Sequence, residues 1–325
     1  MESRHRVSVA VADARGRLVA WSGDPELVTF LRSAAKPFQA LPLVEDGAAD
    51  RFGISQEELA LACASHSSEP HQVGLVRRFL ERLGFSESDL ACGPHRPLSA
   101  DFALRDEGRP ASRTASAKPE VPLTPLASNC SGKHTGMLAL ARHHGWPARG
   151  YHEASHPVQR RCRESLARWT GLAAAGIPEA VDGCGVVTFA VPVRALATAY
   201  ARLGASPEPE ARAVVTAMTS QPGLVAGSGR PCTALMSAYP GRVLAKVGAE
   251  GVYGAALPER QLGIGLKVED GHNWAAVVAL WAVLDQLHLD PPPSEMLPRF
   301  AQIPVRNSRT EVVGALRASG QLHFA

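Results

Sequence analysis

Arg32-Ser33-Ala34-Ala35-Lys36-Pro37-Phe38-Gln39-Ala40 sets a hydroxyl and an amine three residues apart, a spacing that puts both on one face of a helical turn. A serine whose proton can pass to a neighbouring neutral amine is a nucleophile with its own base. Lysine serves as that base only when burial or a second cation disfavours its charged form. Lys246, in Lys246-Val247-Gly248, is available as the second cation. Alone, Ser-x-x-Lys recurs on Ala/Arg-rich helices as an ordinary solvated pair, so its weight comes from the rest of the chain.

At 325 residues and 45% apolar, the chain can bury a large core. Lys+Arg 34 against Asp+Glu 31 leaves a net charge of +3. With no run of like charge and no basic stretch interleaved with aromatics, nucleic acid is not an expected partner. No stretch reaches the roughly 20 apolar residues of a membrane span. The first ten residues alternate apolar and polar instead of forming an apolar signal segment. A cytoplasmic location without membrane association is therefore expected, and Cys63, Cys92, Cys130, Cys162, Cys184 and Cys232 are expected as free thiols.

Val7 to Asp13 and Arg17 to Trp21 read as strands joined by Ala14-Arg15-Gly16. A helix is predicted from Ser33 to about Val44, with Pro37 disturbing its first turn. Further helices are predicted over Gln56 to Cys63, Pro70 to Leu83, Ser131 to His143, Pro157 to Trp169, Glu208 to Thr219 and Trp274 to Leu287. Apolar runs at Val186 to Val193, Arg242 to Val247, Gly251 to Ala256 and Gly263 to Val268 suit antiparallel strands. Strands at both ends with helices between favour one α+β domain spanning 1–325, an antiparallel sheet flanked by helices. The aperiodic stretch 106–126, rich in Pro, Ser, Arg and Gly, reads as a flexible connection.

Asn129-Cys130-Ser131-Gly132-Lys133-His134 gathers a thiol, a hydroxyl, an amine and an imidazole where a helix begins. A helix N-terminus there lowers a thiol pKa. Asp182-Gly183-Cys184-Gly185 brings a second thiol, which with Cys130 makes either a two-thiolate metal site or two small buried hydrophobes. In Cys63-Ala64-Ser65-His66-Ser67-Ser68-Glu69, Ser67 or Ser68 suits capping of the next helix, and Ser65, which begins the polar run, is the candidate for chemistry. Gly227 in the loop Leu224 to Arg230 lets backbone amides approach an anion, and Arg230 suits a carboxylate. His95 reads as part of a rigid loop.

These segments, with Cys92-Gly93-Pro94-His95 and Val225-Ala226-Gly227, occur in order along almost the whole chain and resemble the Rhizobium etli-type L-asparaginases of the asparaginase II family. The resemblance implies a serine β-lactamase-like fold, in which Ser-x-x-Lys and Lys-x-Gly are the two halves of one site. It implies a Ser33/Lys36 pair beside a Ser65/Lys246 pair, and zinc held by Cys130, Lys133 and Cys184 with Asp182 in support. Arg32, His134, Asp182, Gly227 and Arg230 are the substrate-binding residues that go with this site. The expected reaction is hydrolysis of L-asparagine to aspartate and ammonia by a homodimer. The alternatives are a related amidase or glutaminase, or a zinc or amino-acid binding protein without turnover. Ser68, Ser128 and Val186 depart from the glycine, asparagine and proline usual in that family.

Overall fold

The computed structural model describes residues 1–96, 98, 123–290 and 298–325. The opening hairpin forms as read, with strand β1 (Val7–Asp13) antiparallel to β2 (Leu18–Ser22). It does not stand alone. β1 also pairs along its whole length with β8 (Leu262–Val268), Val9 opposite Leu266. β8 continues into β7 (Val252–Leu257) and β6 (Leu244–Val247), while the terminal β11 (His323–Phe324) closes on β2. The six-stranded sheet thus runs β11-β2-β1-β8-β7-β6.

Alternation along these strands builds two layers of core. Ala10 and Ala12 face Val193 and Ala197 of the helix Val193–Ala205. Glycine on β8 lets that helix lie directly on the sheet, since a Cβ at Gly263 would fall 2.0 Å from the Ala197 carbonyl oxygen. Val9, Val11, Ile264 and Leu266 point the other way into the main core, which includes Val277, Leu280 and Leu284 of the helix Asn273–Gln286.

A smaller sheet, ordered β3-β5-β4, is formed by β3 (Val28–Phe30), β5 (Val187–Pro192) and β4 (Glu179–Val181). It delivers residues 32 and 182 to one place. The hairpin of β9 (Gln302–Arg306) and β10 (Val312–Arg317) is a separate two-stranded sheet.

The helices Gln56–Ala62, Pro70–Arg82, Ser131–His144, Pro157–Thr170 and Pro209–Ser220 fall where the caps and prolines predict. Ser55 accepts from the Glu58 amide, and Glu58 in turn accepts from the Ser55 amide, a reciprocal cap. Two predictions change. The single helix from Ser33 to Val44 is instead a 3-10 turn, Arg32–Ala35, followed by short helices Lys36–Ala40 and Pro42–Glu45, because Pro37 and Pro42 each lack an amide donor. The N-cap before Pro70 is Glu69, not Ser67 or Ser68, whose hydroxyls donate to the Ala226 and Ala127 carbonyls. Most of the stretch 106–126 lies outside the described residues; its end, Pro125 and Leu126, folds into a 3-10 turn with Leu126 buried. No helix among the described residues is long and apolar enough to cross a membrane.

Candidate active site

Ser65 occupies the middle of the predicted constellation. It follows the helix Gln56–Ala62 in an extended segment whose backbone is held by Ser65 N–H to Val225 O at 2.9 Å. Its Oγ lies 2.9 Å from Lys36 Nζ and 2.8 Å from Lys246 Nζ. Lys36 also donates to Ala64 O at 2.6 Å, and Lys246 to Val247 O at 2.8 Å. Both lysines are 1% exposed.

Burial, with only weak acidic compensation, pushes both amines down. Lys246 falls to about 7, first by desolvation and then by the Lys36 charge. Lys36 falls for the same first reason. A neutral amine on either side can then accept the Ser65 proton while the other donates to Oγ.

The expected direct Ser33–Lys36 contact is absent from the hydrogen bonds of the described residues; Lys36 turns to Ser65 instead. Ser33 is partly exposed, whereas Ser65 is 2% exposed. Arg32, just before Ser33, has φ +50°, a left-handed conformation that costs an L residue about 1–2 kcal/mol. Its Nε donates to Asp182 Oδ1 at 2.5 Å, so the end of β3 and the loop after β4 are tied together beside Ser33.

The second group begins where Lys36 ends, since the Lys36 amine also lies against the Cys130 thiol. Cys130 is the N-cap of the helix Ser131–His144, and Lys133 in its first turn points the same way. Lys133 Nζ is 3.1 Å from Cys184 Sγ. The hydrogen bond between the two sulfurs, together with burial, raises Cys130 to about 12, and the same bond with Lys133 beside it lowers Cys184 to about 4. The helix N-terminus was expected to activate Cys130. Cys184 is instead the thiol pushed down, because it lies 3.1 Å from the Lys133 amine and is less buried than Cys130. Burial pulls Lys133 down, yet Cys184, Cys130 and Asp182 outweigh it and hold the ammonium above the ordinary lysine range. Asp182, though burial alone would raise it, is kept ionised by Lys133 and Arg32.

Other predicted residues frame these groups. Arg230 is 1% exposed, and its Nη1 donates to Ser65 O at 3.1 Å and Ser67 Oγ at 3.3 Å, bracing the Ser65 backbone. Gly227 has φ +126°, and a Cβ there would fall 2.6 Å from Ser67 Oγ, so no side chain fits. His134 is buried with Nδ1 2.6 Å from the Tyr151 hydroxyl. His95 is exposed and its Nδ1 lies by the neighbouring Arg96 carbonyl. Sequence reading missed Tyr151 and missed Cys232, whose sulfur accepts from the Val247 amide behind Lys246. Neither stands in a motif.

Among solved structures, that of Mglu in its native form is 19% identical, with 87% of this chain and 64% of that chain covered and a TM-score of 0.48. This chain spans less than two thirds of the Mglu chain. A β-lactamase from Mycobacterium bovis is 16% identical over 87% of this chain and 95% of the other, with a TM-score of 0.36. No curated protein matches. The family model described as L-asparaginase II matches residues 1–318, and with the Ser-x-x-Lys turn and the Lys-x-Gly strand meeting at Ser65, the chain belongs to that family.

Proposed function

We propose that the protein is an L-asparaginase that hydrolyses the side-chain amide of L-asparagine to aspartate and ammonia. The observation that carries this reading is the Ser65 hydroxyl between two buried lysine amines, at 2.9 and 2.8 Å, with the more accessible Ser33 three residues before Lys36 in the chain. Ser33 attacks the amide carbon. Its proton passes to neutral Lys36, which in this reading swings from Ser65 to Ser33 when substrate binds, since catalytic hydrogen bonds often form only in the complex. Lys36 returns that proton to the leaving nitrogen, so collapse of the tetrahedral adduct expels ammonia and leaves Ser33 as an ester. Water then attacks the ester, releasing aspartate and restoring the hydroxyl. Ser65 and Lys246 carry protons to and from Lys36.

The residues present fit zinc. Two thiols and an amine converge, with Lys133 Nζ 3.1 Å from Cys184 Sγ and Cys130 hydrogen-bonded to the same sulfur. Among the described residues no three His, Cys, Asp or Glu side chains cluster to hold a metal; Lys133, beside Cys184, would be the third donor with Cys130 and Cys184. When bound, the ion would place the substrate, hold the Cys130 and Cys184 loops together and replace the protons that now join these side chains. Asp182, linked to Arg32, supports the set from outside. The proposal includes a cytoplasmic homodimer, which sizing of the purified protein checks.

Ammonia release from L-asparagine, with L-glutamine in parallel, tests the reading in wild type and Ser33→Ala. Release from asparagine that vanishes in the variant supports it. Turnover retained by Ser33→Ala removes Ser33 as nucleophile, and preference for glutamine makes the enzyme a glutaminase.

A further inference from the structure

Three contacts fix Arg32 in its left-handed conformation at the point where β3 ends. The Leu31 amide donates to Phe189 O at 2.9 Å, which extends the β3–β5 ladder by one residue. The Arg32 amide then meets no backbone acceptor on β5 but the Thr188 hydroxyl, at 3.3 Å. The Arg32 side chain meets Asp182 at 2.5 Å. Thr188 is 4% exposed, the second residue of β5 and opposite Ala180 of β4. The Thr188 hydroxyl is thus the acceptor for the Arg32 amide where the chain leaves the sheet and begins the Arg32–Ala35 turn. Valine would fill the same space and pack as well on a strand, but it would leave the Arg32 amide without this acceptor.

We infer that Thr188 is a positioning residue: its hydroxyl holds the Arg32 backbone in the left-handed region and thereby sets where the Ser33 hydroxyl stands. The inference rests on Ser33 being the attacking group. Thr188 touches no substrate and acts through residue 32.

The test compares Thr188→Val, which keeps shape and loses the acceptor, with Thr188→Ser, which keeps the acceptor and loses a methyl. Thr188→Ala is the second acceptor-free variant should Thr188→Val not fold. Two readouts are taken on the full chain: kcat and KM for asparagine, and the rates at which phenylmethanesulfonyl fluoride modifies Ser33 and Ser65, located by mass spectrometry. Loss of the hydroxyl should lower kcat roughly tenfold to a hundredfold, as small misplacements of a reacting group do, with KM little changed. Ser33 modification should fall in parallel while Ser65 modification holds, and Thr188→Ser should behave as wild type. Modification reads Ser33 without a substrate. A wild type that releases no ammonia from asparagine therefore removes the proposed reaction and leaves this comparison standing. Equal Ser33 modification in wild type and acceptor-free variants, equal loss at both serines, or no Ser33 modification in the wild type overturns the inference.

Discussion

Lys36 and Lys133 lie in adjoining clusters, both buried, and are driven in opposite directions. Around Lys36 and Lys246 the nearest partners are a hydroxyl and carbonyls, with the neutral Cys130 thiol on the far side of Lys36. Burial dominates there and both amines move toward neutrality. Around Lys133 stand a thiolate, its thiol partner and Asp182, and they overcome the same burial penalty. Burial sets the stakes for an ionisable group, while its neighbours decide the sign. One side of the site is thus equipped to accept protons and the other to hold charge.

The largest effect that would sharpen this contrast is at Lys36. Lys36→Met should lower kcat by about 10²–10⁴-fold, the usual loss when a general base is removed, with folding retained by circular dichroism. Activity near wild type would show that the neutral amine is not the base.

Breaking the second cluster should do something different. Asp182→Asn should weaken zinc binding by roughly 10–100-fold, as loss of a supporting group does, measured by competition with a chromophoric chelator. Chelation of the wild type should raise KM for asparagine while kcat survives. Complete loss of turnover at saturating asparagine would instead make the metal part of the chemistry.

pH separates the two lysine environments next. kcat should fall about tenfold per unit below pH 7, where the Lys246 amine becomes protonated near its value of about 7. Stability moves through the same group. Its pKa is about 7 in the folded chain against the ordinary 10.5, so between those values the unfolded chain binds more protons and stability rises with pH. Below pH 7 the penalty is complete. Lys246→Met should therefore raise the melting temperature most below pH 7 and least above about 10.5, in a thermal-shift series across pH.

The smallest expected effect concerns Ser68, at φ +60° with its hydroxyl on the Ala127 carbonyl. Ser68→Gly relieves about 1 kcal/mol of backbone strain and loses about 1 kcal/mol of hydrogen bond, for a net change near zero. Ser68→Ala loses the bond without the relief. Its urea midpoint should fall below that of Ser68→Gly.

Local signals were read well where they were strong. The β1–β2 hairpin, the proline-started helices and the glycine loop at Gly227 all lie where turns, caps and periodicity put them. The helix Val193–Ala205 was missed because it is buried on most of its surface, including Ala197, Ala199, Tyr200 and Ala201, which blurs the polar face that marks a helix. β9 and β10 were missed for the opposite reason: Val305, Val312 and Val313 are exposed, so apolar alternation carries no information there.

By itself the sequence determined the chemical inventory and most local elements, because caps, prolines and hydrophobic period act over a few residues. It also placed Cys130 and Lys133 together at one helix start. Only the tertiary structure decided that Lys36 turns to Ser65, 29 positions away, and that Lys246 reaches it from 181 positions away. The pairing of β1 with β8 and of β3 with β5 brings those distant segments together. Protonation was decided at the same level, since it depends on burial and on which charges end up in contact, and neither is a property of neighbouring residues in the chain.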